Sequence, residues 1–300
     1  MEIVLFSRPR VNHTAAELRR FITAVSDCGM KWRLNEQFAE RIGNLTGIDI
    51  PTDKRYASLS ETELATDAII VCYGGDGTFL EAVRRLNGRS VPMVGINRGR
   101  LGFLASIPAD RMEEAFAGLR QGAYTTQQRS LLQVEGDFPE APAHPFAFNE
   151  FTIQRNTAEM IDVETYAGDD MIANYRGDGI ILSTPSGSTA YSLSVGGPIV
   201  APECNCFILS PIAPHNLSMR PVVIPDTIRI VFRVTTRSQS ALATLDNMNY
   251  TVPNGASFTV SKAKKSINLI QLQNISFYDT LRNKMMWGLD KRDLDNNNKI

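Results

Sequence analysis

The run Gly74-Gly75-Asp76-Gly77-Thr78 is where chemistry is expected first. It interrupts an unbroken apolar stretch, Ala68-Ile69-Ile70-Val71-Cys72-Tyr73, and precedes Phe79, Leu80, Val83 and Leu86 at helical spacing. A glycine-rich turn between a buried strand and a helix lies where open α/β sheets bind ligands. Its glycines admit a close backbone approach, and the helix N-terminus behind them favours anions. No Lys follows the last glycine, so this is not a Walker A loop, and it is not G-x-G-x-x-G either. Asp76 is the odd residue, because a carboxylate repels phosphate unless a metal ion or a transferable proton compensates. Three roles follow for it: a metal-linked ligand, a base taking a proton from an attacking hydroxyl, or the N-cap of a tight turn.

Three further groups stand out. Asn97-Arg98-Gly99-Arg100-Leu101-Gly102-Phe103-Leu104 follows the next apolar run, and its Arg98 and Arg100 are either phosphate ligands or two solvated arginines. Phe103 either lines a base pocket or closes the core. Phe148-Asn149-Glu150-Phe151 pairs an amide with a carboxylate, which suits a nucleoside, although such a dipeptide is more commonly a turn. The last group runs from Arg176-Gly177-Asp178-Gly179 to Ser183-Thr184-Pro185-Ser186-Gly187-Ser188-Thr189-Ala190-Tyr191-Ser192-Leu193-Ser194. It reads as a strand between two turns rich in small polar donors, with Tyr191 offering a ring and a hydroxyl.

The elements that must position these groups fall into two textures. Up to about residue 127 strands and helices alternate. Ile3–Phe6 reads as a strand, Ala15–Ser26 as a helix stopped by Gly29, Val91–Ile96 as a strand and Ala109–Gly118 as a helix. Strand, helix, strand at this spacing predicts a parallel sheet with a right-handed crossover. After Arg129 short runs of period two take over, such as Ile228, Ile230, Phe232 and Val234, then Phe258 and Val260, then Ile267 and Leu269. Gly168-Asp169-Asp170 reads as a turn between strands and Pro142–Pro145 as a loop. The expected fold is α/β plus all-β: a Rossmann-like domain over 1–127 and about 278–300, and a sandwich-like β domain over 128–277. Asp290–Ile300 is polar and expected to fray.

At 300 residues the chain fits two domains at about 150 residues each. Its 31 Lys plus Arg balance 32 Asp plus Glu, which argues against a wholly basic nucleic-acid surface. No apolar run suffices for a membrane span, and the N-terminus does not read as a secretory signal. The four scattered cysteines are expected to be reduced cytosolic thiols, and a count of three histidines argues against a His-rich metal site.

Taken in order and spacing, the four groups resemble the NAD kinase family, bacterial type, from about Ile3 to Trp287. The resemblance implies transfer of the ATP γ-phosphoryl group to the 2′-hydroxyl of the adenosine ribose of NAD, giving NADP. It gives Asp76 the role of general base. It places Asp76, Gly77, Phe103, Asn149, Glu150, Arg176, Asp178, Thr189, Ala190, Tyr191, Ser192, Leu193 and Ser194 around NAD. Asn149 and Glu150 would hold the adenine and ribose, Asp178 would meet the nicotinamide side, and Arg176 could reach a neighbouring subunit's ligand. Gly74, Gly75, Gly77, Thr78, Arg98 and Arg100 would face ATP. It also implies Mg²⁺ or another divalent ion, a cytoplasmic homodimer or homotetramer built through the β domain, and a tail returning to the first domain. Lys and Arg are sparse in sequence around the glycine turn, so Mg²⁺ is expected to carry most of the ATP charge. One departure is Met248, where many relatives carry Gln, with Asn249 as a possible substitute. The rival readings are a lipid kinase, a sugar phosphofructokinase and a non-catalytic dinucleotide sensor. The serine- and threonine-rich block argues against the first, the β texture against the second, and Asp76 against the third.

Overall fold

A computed structural model describes residues 1–9, 11–99, 102–272 and 276–288. Arg100 and the tail from 289 to 300 lie outside the described residues. The chain divides into two compact units, 1–127 with 268–300, and 128–267.

The first unit opens with β1 (Glu2–Phe6), α1 (Ala15–Asp27), β2 (Lys31–Asn35), α2 (Glu36–Thr46) and β3 (Arg55–Tyr56). It continues with β4 (Ala68–Tyr73), α3 (Asp76–Leu86), β5 (Pro92–Asn97), β6 (Ile107–Pro108) and α4 (Met112–Gln121). The β4 run is buried at every position, as a strand covered on both faces must be. Thr14 and Glu17 form a capping box that starts α1. The strands pair in parallel in the order β3-β2-β1-β4-β5. Strand order therefore reverses between β1 and β4, the crevice where doubly wound sheets take ligands, and the glycine turn sits at the carboxyl end of β4. The predicted helix over Ala109–Gly118 differs: a 3-10 turn, Ala109–Arg111, precedes α4. Arg111 leaves helical geometry at φ −105 and ψ 19, and α4 runs on to a left-handed Gly122 cap.

In the second unit β7 (Tyr124–Gly136), whose first residues belong to the first unit, is followed by β8 (Phe146–Ala147), β9 (Glu150–Arg155), β10 (Ile161–Ala167) and β11 (Asp170–Gly177). Next come β12 (Gly179–Ser183), α5 (Tyr191–Ser194), β13 (Cys206–Ile212) and β14 (Val222–Pro225). The unit closes with β15 (Ile230–Thr236), β16 (Ser240–Leu245), β17 (Met248–Pro253) and the start of β18 (Ser257–Leu272). One antiparallel sheet runs β14-β13-β12-β9-β16-β17, and β11-β10-β15-β18 forms a second set. Their inner faces share one core, with Phe151 in ring contact with Phe232 and Phe258. The period-two runs predicted around Phe258 and Ile267 are one strand, β18. From Asn268 that strand belongs to the first unit and pairs in parallel with β5. The first unit ends in α6 (Phe277–Met285), started by a Ser276/Asp279 capping box.

Among the described residues no helix is long and apolar enough to cross a membrane. Cys28, Cys72, Cys204 and Cys206 are free thiols.

Candidate active site

In the first unit everything converges on Asp76. The N-cap of α3 is Gly75, so Asp76 is the first helical residue and its carboxylate does not cap its own helix. It reaches instead to the loop after β5. Oδ1 accepts the N–H groups of Leu104 and Ala105, and Oδ2 accepts that of Phe103, all at 3.0 Å. Lys284 of α6 donates its ammonium to Oδ2 at 3.2 Å. Gly102 is required by this closeness, since a Cβ there would collide with Oδ1. Burial pushes the Asp76 carboxyl up, but the N–H of Ala105, the Lys284 charge and the N–H groups of Leu104 and Phe103 outweigh it. The net effect lies below the usual carboxylate range.

The other predicted residues of this unit fall around the same turn. Gly74 donates its N–H to Ile96 of β5 at 2.9 Å, and Thr78 is buried and bonds back to Gly75. Gly77 lies under the Arg8 guanidinium, since a Cβ there would come within 2.7 Å of Nη1. Phe103 is half-buried, with the Lys284 ammonium 4.6 Å above its ring. The fold thus places Arg8 and Lys284 at a turn that looked poor in cations along the sequence. Beside it His13 stacks on Tyr73 at 4.7 Å and bonds Ser7. Burial and the nearby Arg98 and Arg41 push His13 down to about 4, so it is neutral at pH 7.

Arg98 does not stand free for phosphate. It pairs with Glu17 of α1 at 2.8 Å, each side chain about a third exposed, at 31% and 32%. Replacing Arg98 by Ala is expected to cost less than about 1 kcal/mol of stability, the ordinary value of an exposed pair. Thermal unfolding in low and high salt checks this, with the difference shrinking as salt rises.

In the second unit an aspartate again gathers successive N–H groups. Asp246, in the turn between β16 and β17, accepts those of Phe148, Asn149 and Glu150 at 2.8, 2.7 and 3.1 Å. Its backbone is left-handed, with φ at 49. The Asn149 carbonyl accepts the Thr184 N–H at 2.9 Å, and the Thr184 hydroxyl bonds the Phe148 carbonyl at 2.7 Å. Gly187 packs on the Asn149 carbonyl so tightly that a Cβ would collide with it. Glu150 is 7% exposed, Oε2 has no hydrogen-bond partner, and the Tyr191 N–H bonds its carboxyl. Burial first, and the Asp246 charge second, push Glu150 up to about 8. Burial also pushes Asp246 up to about 6, against its three N–H bonds.

The segment after Pro185 is not an open loop. It forms a 3-10 turn over Ser186–Thr189 and then α5. Tyr191 and Ser194 are exposed, while Thr189, Ala190 and Leu193 are half-buried. Ser192 is fully buried, and its hydroxyl pairs with Ser210 at 3.0 Å inside the unit. Asp178 pairs with Arg155 at 2.9 Å, and Arg176 with Asp162 at 2.7 Å. The Arg176–Asp178 turn is bonded to the end of β13 and the loop after it, by Asp178 N–H to the Ile212 carbonyl and His215 N–H to the Arg176 carbonyl. In that loop Ala213 holds φ at 41, an unusual conformation for alanine that no sequence signal marked. Met248 is partly exposed at the head of β17, and Asn249 accepts the Thr244 hydroxyl at 3.1 Å.

The ATP-NAD kinase N-terminal domain matches residues 5–124, and the ATP-NAD kinase C-terminal domain matches residues 148–272. NAD kinase of Flavobacterium psychrophilum is 37% identical over 97% of this chain and 100% of its own length. NAD kinase of Bacteroides fragilis is 42% identical over 75% of this chain and 78% of its own. In fold the chain is similar to yeast NADH kinase in complex with NADH, at TM-score 0.85 and 20% identity, covering 97% of this chain and 88% of that one. It is also similar to an NAD kinase from Archaeoglobus fulgidus in complex with ATP, at TM-score 0.71 and 24% identity, covering 96% of this chain and 98% of that one. With both halves of the sequence matched and relatives above a third identical across nearly its whole length, the chain belongs to the NAD kinase family.

Proposed function

We propose that the protein is an ATP-dependent NAD kinase, moving the γ-phosphoryl group of ATP to the 2′-hydroxyl of the adenosine ribose of NAD. The observation that carries this reading is Asp76, an ionised carboxylate held at the carboxyl edge of a parallel sheet where strand order reverses, at the head of α3. In the transfer the ribose oxygen bonds to the γ-phosphorus, the bond from that phosphorus to the bridging oxygen breaks, and ADP leaves. Asp76 takes the hydroxyl proton. The glycine turn offers the N-terminus of α3 to the phosphates, with the Arg8 guanidinium beside Gly77.

Among the described residues no group of three or more His, Cys, Asp or Glu could hold a metal ion. The Asp76 oxygens are already taken by three amides and an ammonium. A resident metal centre does not fit these residues, so the divalent ion is assigned to the substrate, entering as MgATP with the phosphates as its ligands. In the second unit Asn149 and Glu150 are assigned to the adenosine. Glu150, protonated at pH 7, would both donate and accept a hydrogen bond. Asp178, Arg176 and the Thr189–Ser194 segment, Ser192 excepted, are assigned to the rest of the dinucleotide. We assign the protein to the cytoplasm, which its free thiols support. We also assign it a homo-oligomer through the β unit, whose edge strand β14 exposes Val222 and Val223.

The test is NADP formation from ATP, Mg²⁺ and NAD by the purified protein, read with a coupled NADP-specific dehydrogenase. Turnover is expected with NAD. A folded sample that makes no NADP would overturn the reading.

A further inference from the structure

The four hydrogen bonds on Asp76 do not leave room for the proton it is assigned. Each carboxylate oxygen offers about two acceptor positions. Leu104 and Ala105 fill both on Oδ1, while Phe103 and Lys284 fill both on Oδ2. Three of these donors are backbone amides, in a loop whose Leu104 and Ala105 are buried. The fourth is the tip of a flexible side chain, 35% exposed, on the last helix of the unit. Only Lys284 can leave without unmaking the loop. If it leaves Oδ2, its ammonium stays near, because it lies over the Phe103 ring at 4.6 Å, and that ring is in contact with Phe277 of the same helix.

We propose that Lys284 is a catalytic cation. It closes Oδ2 of Asp76 before substrates bind, yields that position to the acceptor hydroxyl, and then pairs with an oxygen of the transferring phosphoryl group. The inference rests on the kinase reading above. In the step the hydroxyl proton passes to Oδ2, the new oxygen–phosphorus bond forms and the bond to the ADP leaving oxygen breaks. Lys284 keeps its protons throughout and supplies only charge. A fixed cation beside the developing charge acts without reorganisation at the moment of reaction.

Lys284→Met and Lys284→Arg test this in the full chain. For Lys284→Met, kcat is expected to fall by about 10²-fold, the usual loss when one such stabilising donor is removed. The KM for NAD should hold or fall, because a competitor for Oδ2 is gone. The acid limb of kcat/KM should move to higher pH, since the ammonium that keeps Asp76 acidic is absent. Lys284→Arg should restore part of kcat. An unchanged kcat in Lys284→Met would overturn the proposal. So would a fall in kcat that arrives with a lower melting temperature and is not recovered by Arg, which would mark a packing role for α6. The wild type is assayed first with NAD: NADP formation followed by either of those results removes the proposal alone, whereas no NADP from the wild type removes the kinase reading and the proposal with it.

Discussion

Asp76→Asn is expected to lower kcat by about 10²–10⁴-fold, the contribution of a positioned base, while the affinity for NAD changes far less. The substitution preserves shape and removes the proton acceptor. It also tests the hydrogen bonding around the turn. An amide oxygen can still accept from Leu104 and Ala105, but the amide nitrogen would face the Phe103 N–H and the Lys284 ammonium, donor against donor. Leaving a buried donor unpaired costs about 1–3 kcal/mol, so the variant should also melt earlier. Longer side chains offer no remedy, because Gly102 already lies against Oδ1. Steady-state kinetics and calorimetric NAD titration separate the two effects. Retained turnover would remove Asp76 from its role as base, and lost binding with normal folding would make it a ligand instead. The low Asp76 pKa has a consequence for pH. The carboxylate is already ionised across the neutral range, so the acid limb of kcat/KM falls below the ordinary carboxylate range. Its depressed pKa also stabilises the fold above the unfolded pKa, and that stability is lost as pH drops through the folded value.

What the sequence made legible was local. The apolar run of β4 and the helical spacing of α1 declare themselves within a few residues, and so does the Gly168 hairpin. The motif residues are visible for the same reason, since a glycine turn needs its glycines side by side. Less legible was Lys31–Thr46, where β2 and α2 hide because charged residues interleave with Trp32, Leu34, Phe38 and Ile42. Partners supplied from far along the chain left no mark at all. Asp246 holds three N–H groups of the Asn149 turn, and Lys284 holds Asp76, yet nothing near either residue announces it. Ser192 shows the converse case. Within a block of small polar residues it looks like its neighbours, but the one-turn helix α5 turns it inward to Ser210. Both halves match the NAD kinase family, which supports that reading over its rivals.

Glu150→Gln is expected to stabilise the protein in a pH-dependent way. The wild-type carboxyl is buried beside Asp246, with Oε2 unpartnered, and its pKa of about 8 stands well above its ordinary 4.5. Between those values the folded state holds a proton that the unfolded chain has released. Stability therefore falls as pH rises through that window, by about 1.4 kcal/mol for each unit of pKa difference. Gln carries no charge to desolvate and matches the shape of the protonated acid. Wild type and variant should melt together near pH 5, and the variant's melting temperature should pull progressively ahead toward pH 8. A gap that does not change with pH would show that Glu150 titrates normally. Ligand binding then separates the two forms of the carboxyl. If the protonated acid donates to NAD, wild-type affinity weakens above pH 8 and the Gln variant stays level. If the carboxylate accepts from the ribose, the variant binds weakly at every pH. Asp246→Asn supplies the control, because it removes the charge that helps raise Glu150 while keeping an acceptor for part of the Phe148–Glu150 turn. Its melting curve should depend less on pH than that of the wild type, and lie below it near neutral pH, because an amide cannot serve all three N–H groups as well as a carboxylate does.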